Sequence, residues 1–310
     1  MNGRPQVLLL GNGLNLAFDA GISWDELLHS FRDDLHEKFE CPMPLKAIIY
    51  AKNRIKDALK GKNDILYGNI CSDEQRQMLH DILCIGLSDI LTTNYSYELE
   101  IAGLGLSEIS DRKLKDMSRH TSGVERVEPK YLLCSYNELD FSGITNRIWH
   151  IHGEARKIDS MILGHYYYAK LLGRVIEYLR KNNSRYEEVL KKGKFFKSKS
   201  WLDDFILGDV YILGFRFDLS EFDLWWLIDR KSKEKSSDGK VYFFTPREDK
   251  FSPRDELLRL FDVNVIDCGF TKPTCTDPQL KSSKYREFYA VALEEIKSMV
   301  SNNTLVALGG

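Results

Sequence analysis

The sequence predicts an α/β fold built around a mostly parallel sheet, and three observations carry that expectation. The first is a recurring short apolar run that stops at a glycine or a small polar residue. Val7–Leu10 stops at Gly11, and Asp89–Leu91 leads into Thr92-Thr93-Asn94. Ile148–His152 stops at Gly153, Met161–Leu163 at Gly164 and Val210–Leu213 at Gly214. Val241–Phe244 precedes Thr245-Pro246, and Val263–Ile266 precedes Asp267-Cys268-Gly269. Runs this short, apolar without alternation, read as strands covered on both faces. The second observation is that longer, charged, helix-period stretches separate these runs. The third is an ordinary globular composition, 43% hydrophobic and 29% charged. Strands alternating with helices make a Rossmann-like, doubly wound sheet with helical insertions the expected architecture.

At 310 residues the chain suits one domain, running 1–310. Its formal charge of −2, from 44 basic and 46 acidic residues, lacks the basic excess of a general nucleic-acid binder. The six cysteines (41, 71, 84, 134, 268 and 275) form no CxxC pair and no zinc-finger spacing. Reduced thiols are therefore expected rather than a disulfide framework. The amino-terminal Val7–Leu10 run is too short for a signal peptide or a membrane span, so a cytoplasmic location is expected.

The elements between the strands follow from their chemistry. Ser23-Trp24-Asp25-Glu26 reads as a helix N-cap with an acidic first turn. Segments 44–85, 108–140 and 166–205 are too long for simple crossovers and too charged for strands, so they read as helical insertions. The basic run Arg180–Lys199 reads as a solvated helix face. A last helix is expected over about 284–300, followed by a loose tail, Ser301–Gly310.

In a sheet of this class ligands bind beyond the carboxyl ends of the strands, where the small-residue turns lie. Gly11-Asn12-Gly13 follows the first strand. Glycine there lets a phosphate approach the backbone, although a tight turn without a ligand uses glycine equally well. No Walker lysine follows, so P-loop ATP hydrolysis is disfavoured. Thr92-Thr93-Asn94-Tyr95 brings hydrogen-bonding side chains to a second strand end. Asn94 can hold a water or a ribose hydroxyl, or cap a helix. In Trp149-His150-Ile151-His152-Gly153 the two histidines fall on one face of a strand. A histidine at a strand end can serve as a general base, and equally as a hydrogen-bonded core residue. A metal bound by the pair is disfavoured because no obvious third ligand follows. The fourth turn, Gly214-Phe215-Arg216, precedes a helix carrying Trp225-Trp226, which reads as core packing.

Taken in order, the turns Gly11-Asn12-Gly13, Thr93-Asn94-Tyr95-Ser96, His152-Gly153 and Gly214-Phe215-Arg216 resemble the sirtuin-like superfamily, in its divergent bacterial antiphage-defence branch. Sirtuins carry a Gly-Ala-Gly turn, a Gln-Asn-Ile-Asp motif, a His-Gly pair and a late Gly-Thr-Ser turn. Ala20–Leu28 is similar to that branch's Gly-Ile-Pro-x-Trp helix start, and Gly214–Asp223 to its Gly-Tyr-Ser-Leu-x-Asp pattern. Gly11–Asn15 also resembles the Gly-Asn-Gly-Phe-Asp turn of a related abortive-infection family. Two departures matter. The zinc knuckle of protein deacylases is absent, and Ser96 stands where the nicotinamide-contacting aspartate is expected.

The resemblance implies an NAD hydrolase that depletes NAD during abortive infection, with NAD as substrate and no metal. It implies that Asn94 orients the ribose and an attacking water and that His152 is the general base. Gly11, Asn12, Gly13, Thr93, Gly214, Phe215 and Asp267 would hold the dinucleotide. Control by homo-oligomerisation, or by a separate sensor or ATPase subunit, is expected with such an activity. The alternatives are a module that senses NAD or ADP-ribose without cleaving it, and an abortive-infection protein of related fold with other chemistry.

Overall fold

The computed structural model describes residues 4–309 apart from 21, 32–41, 52–53, 61, 63–65, 122–130, 193–194, 234–238 and 249–251. Gly21, part of the expected helix-start motif, thus lies outside the described residues. Six strands run parallel: β1 (Gln6–Leu10), β2 (Asp89–Thr92), β5 (Ile144–His150), β6 (Asp209–Leu213), β7 (Val241–Phe244) and β8 (Val263–Ile266). Two more, β3 (Ser118–His120) and β4 (Ser135–Phe141), add to β5 antiparallel, giving the order β3-β4-β5-β2-β1-β6-β7-β8. Counted in order of appearance, the parallel strands lie 3-2-1-4-5-6, the strand order of a Rossmann sheet. The order reverses between β1 and β6, so their carboxyl ends frame the expected ligand crevice.

Helices join the strands. Among the described residues the first five are α1 (Gly13–Leu16), α2 (Trp24–His29), α3 (Met43–Tyr50), α4 (Ile55–Leu59) and α5 (Asp73–Leu83). Next come α6 (Glu98–Gly103), α7 (Asp111–Met117), α8 (Tyr131–Cys134), α9 (His165–Lys192) and α10 (Trp201–Leu207). The chain closes with α11 (Phe222–Lys233), α12 (Pro253–Leu260) and α13 (Pro278–Gly309). Ser23 and Glu26 form a reciprocal capping box at the start of α2, as the sequence predicts.

Every residue of β1 and β6 is buried, and alternate positions feed two separate cores. Leu8, Leu10, Ile90 and Leu213 pack with α5, α6 and α13. Val7, Leu9, Leu91 and Ile212 pack with α9, α10 and α11. Two-sided burial is what the uninterrupted apolar runs encode. No helix among the described residues is long and apolar enough to cross a membrane.

The amino ends of the strands are held by charge. Asp89, fully buried, receives Trp149 Nε1 at 2.6 Å and Arg147 Nη2 at 2.9 Å. Arg147 also donates to Asp204 Oδ2 at 3.0 Å. Burial together with the neighbouring Asp204 charge raises the Asp89 pKa well above the usual carboxylate range.

Four expectations need correction. Segment 108–140 contributes β3 and most of β4 as well as helix. Its strands are polar because β4 is covered on one side only, with alternating burial, unlike the fully covered centre. Ser142 and Gly143, at φ 49° and 80°, make the two-residue turn that pairs Phe141 with Ile144. Met161–Leu163 is buried but forms no strand. It folds back instead, with Ile162 N donating to His152 O at 2.7 Å. The expected loose tail is helix through Gly309, and Asn303 Nδ2 anchors it to Asp209 Oδ2 at 3.2 Å. Finally, His150 and His152 do not share a face, because β5 ends at His150.

Candidate active site

At the reversal point the turns after β1 and β6 are stitched together. Gly11 N donates to Leu213 O at 2.9 Å, and Gly13 N to Gly214 O at 2.8 Å. A Cβ on Gly13 would lie 2.7 Å from Gly214 O and 2.6 Å from the Tyr289 hydroxyl; one on Gly11 would lie 2.4 Å from Gly214 O. Gly214 itself holds φ at +67°. The three glycines are therefore required by close packing. The expected pyrophosphate cradle loses its Gly11 and Gly13 donors, since both N–H groups already have carbonyl partners. Asn12 is likewise engaged, donating to Ile22 O at 2.9 Å. Phe215 lies against Gly11, with Cδ2 within 2.8 Å of where a Cβ would stand.

Next to this seam, a crevice of about 230 Å³ opens, part of it to solvent, lined by Asn15, Thr92, Asn94, Ser96, Glu98 and Glu100 among others. Its wall follows directly from β2. Thr92 Oγ1 accepts from Asn94 N at 3.0 Å and bends the chain at the strand end. Asn94, Ser96, Glu98 and Glu100, at every second position, then line the space, the last two on the first turn of α6.

The crevice is proton-rich. Glu98 Oε2 accepts from Ser96 Oγ at 2.7 Å, whereas the buried Oε1 has no partner among the described residues. Burial, opposed by the Ser96 hydrogen bond, pushes the Glu98 carboxyl up to about 7. Glu100 Oε1 accepts from Asn137 Nδ2 at 2.8 Å and lies 3.0 Å from His150 Nε2. His150 Nδ1 lies 2.9 Å from Asn94 O, and a carbonyl only accepts, so this nitrogen carries a proton. Both ring nitrogens thus face acceptor oxygens, and a proton is shared between His150 and Glu100. Burial disfavours the charged ring, but the Glu100 carboxylate outweighs it and raises the His150 pKa.

His152 lies elsewhere. It is 1% exposed, lines no part of the crevice, and sets Nε2 2.8 Å from Asp223 Oδ2. Its Nδ1 is 4.0 Å from Glu221 Oε2, which accepts from the Tyr168 hydroxyl at 3.2 Å. Burial works against the charged imidazole, yet the Asp223 charge leaves its pKa raised. Burial also pushes the Glu221 carboxyl up to about 7. The carboxylates that meet His152 are supplied by residues some seventy positions later, ahead of and within the first turn of α11.

Of the remaining expected residues, Thr93 is half-buried beside Asn94, and Gly214 and Phe215 sit at the seam. Asp267 does not join them. It follows β8, three strands from β1 and so roughly 14 Å away at ordinary strand spacing. There it accepts from Gly269 N at 2.9 Å and faces Arg247 at 3.9 Å. Residues missed by the sequence reasoning are Glu98, Glu100, Glu221 and Asp223. The alternation Asn94-x-Ser96-x-Glu98-x-Glu100 was the available signal for the first pair.

No protein-family model matches this chain, and a comparison with curated proteins gave no match. Fold and site together define an α/β protein of Rossmann strand order with an acidic, amide-bearing crevice at the carboxyl ends of its central strands.

Proposed function

We propose that the chain hydrolyses the N-glycosidic bond of NAD, releasing nicotinamide and ADP-ribose. The observation that supports this best is the Asn94 amide beside the Glu98 and Glu100 carboxyls in one crevice, next to the strand-order reversal where such sheets take ligands. Two helical layers and the strand order also suit the doubly wound arrangement expected from the sequence.

In this reading Asn94 orients a ribose hydroxyl and the attacking water. The bond from the ribose anomeric carbon to nicotinamide breaks as the water oxygen bonds to that carbon. Glu98, ionised for about half the molecules near pH 7, takes the water proton and returns it to solvent. Glu100, held by Asn137 and His150, offsets the positive charge that develops on the ribose. Nicotinamide leaves as a neutral base. His152, the base expected from the sequence, lines no part of the crevice, so proton transfer here is assigned to Glu98, which does. Depletion of NAD as an abortive-infection effector, in the cytoplasm and under control of self-association or a separate sensor or ATPase subunit, belongs to the same proposal. It rests on the order of the four turns.

One observation favours a second reading. Part of the crevice's 230 Å³ is open solvent, so its enclosed space falls far short of the roughly 300–1,000 Å³ of typical small-molecule sites, and the glycine N–H groups are engaged. A smaller N-riboside would then be the substrate. The test is product analysis after incubating the purified chain, alone and in lysate of infected cells, with NAD and with simple nucleosides. Nicotinamide and ADP-ribose are expected, with Asn94→Ala and Glu98→Gln slowing turnover by about 10²–10⁴-fold. Cleavage indifferent to both substitutions rejects the site. Binding of NAD without cleavage identifies a sensing module.

A further inference from the structure

We propose that His152, Glu221 and Asp223 form a binding site for a divalent first-row cation, with zinc the best chemical match, where the end of β5 meets the starts of α9 and α11. The inference goes beyond the NAD reading and does not depend on it, because its residues are not those of the crevice.

Three ligand-type atoms, one imidazole nitrogen and one oxygen from each carboxylate, lie within 4.8 Å of one another. A mixed nitrogen and oxygen set suits zinc, manganese or ferrous iron, whereas copper(I) seeks sulfur. A second observation is independent of that clustering. Asp223 Oδ1 is buried and has no hydrogen-bond partner among the described residues, although the other oxygen of the same carboxylate contacts His152. Buried carboxylate oxygens ordinarily find a donor or a cation, and an orphan calls for an explanation.

A dication would take the place of the proton between His152 Nε2 and the Asp223 carboxylate. Metal–ligand bonds of about 2.0–2.1 Å at tetrahedral angles separate ligand atoms by roughly 3.3 Å. The present separation is 2.8 Å, so loading opens this contact by about half an ångström. Glu221 supplies the third ligand. Its side chain is 13% exposed, against 2% for His152 and 1% for Asp223, so the ion enters past Glu221. Solvent water at that side completes the coordination.

The experiment uses the full chain, stripped with chelator and then dialysed against zinc, with bound metal measured by elemental analysis. A parallel titration with cobalt(II) is followed by visible absorption. One equivalent per chain is expected, with a cobalt band typical of low coordination number and a higher melting temperature in the presence of zinc. Asp223→Asn, which preserves shape, and Glu221→Gln, at the more exposed position, should each weaken binding by more than about 10-fold. That threshold is the lower end of what removal of an outer-shell partner costs. Circular dichroism checks that both variants fold, and Asp267→Asn serves as a control that keeps the full equivalent. Less than one equivalent in the parent, or equal metal content in the parent and both folded variants, overturns the site. The cluster is then an ion pair only. Because metal content is read directly, an inactive enzyme leaves the result interpretable.

Discussion

Gly13 donates its backbone N–H to the carbonyl of Gly214 across 2.8 Å, tying the first turn of the chain to a turn two hundred residues later. This bond sits where the strand order reverses. It makes the glycine-rich turn a packing device before it is anything else. A methyl group on Gly13 would collide with the Gly214 carbonyl and the Tyr289 hydroxyl together. Gly13→Ala is expected to destabilise the fold by about 1–3 kcal/mol, the usual cost of overpacking. Urea unfolding of parent and variant checks this; a variant of equal stability would mean that the seam yields.

At the opposite end of the sheet, Arg147 lies between Asp89 and Asp204. Removing it leaves two carboxylates in a buried site without their cation. Arg147→Met should cost about 3–5 kcal/mol, the range measured when one partner of a buried pair is lost. The loss should be smaller in a triple variant that also carries Asp89→Asn and Asp204→Asn. Equal losses in the single and triple variants would assign the effect to packing instead.

The Glu98 carboxyl gives stability a pH dependence with a definite sign. Its pKa is 4.5 in an unstructured setting and about 7 in the fold, so the folded chain keeps a proton that the unfolded chain releases. The associated stability is therefore fully present below about pH 4.5 and is lost as pH rises through 7, with a full effect of roughly 3 kcal/mol. Relative to the parent, Glu98→Gln should gain stability as pH is raised from 4.5 to 8. Denaturant titrations at both pH values measure the difference, and a relative loss over that interval would contradict the assignment.

Asp267 offers a contrast. Its carboxylate closes a local turn at the end of β8, two strands beyond β6. Asp267→Ala should leave nicotinamide release within about twofold of the parent, while Asn94→Ala lowers it by about 10²-fold or more. Matching losses in the two variants would restore Asp267 to the site.

Much of this organisation is legible in the residues. Val7–Leu10 and Val210–Leu213 are apolar without alternation because both of their faces are covered, and the sequence predicts them as strands. Strand β4 escaped notice because it is half-covered, and its Tyr136, Glu138 and Asp140 mimic a charged helix. Met161–Leu163 shows the converse. An apolar run reports burial, and a buried loop satisfies it as well as a strand does. At the site, Asn94 is legible because it follows a strand. Asp223 and Glu221 are not, since their meeting with His152 depends on how α11 packs, which local sequence does not encode.

The sheet has two unlike margins, and both discourage extension. At one, β3 is only three residues long, and Arg119 pairs with Glu138 of β4 at 3.1 Å. At the other, β8 is four residues long, flanked by exposed Asp262 and carrying exposed Asn264. Short, polar edges of this kind resist the addition of a foreign strand. A backbone ribbon running on from one molecule into the next is therefore disfavoured at both margins.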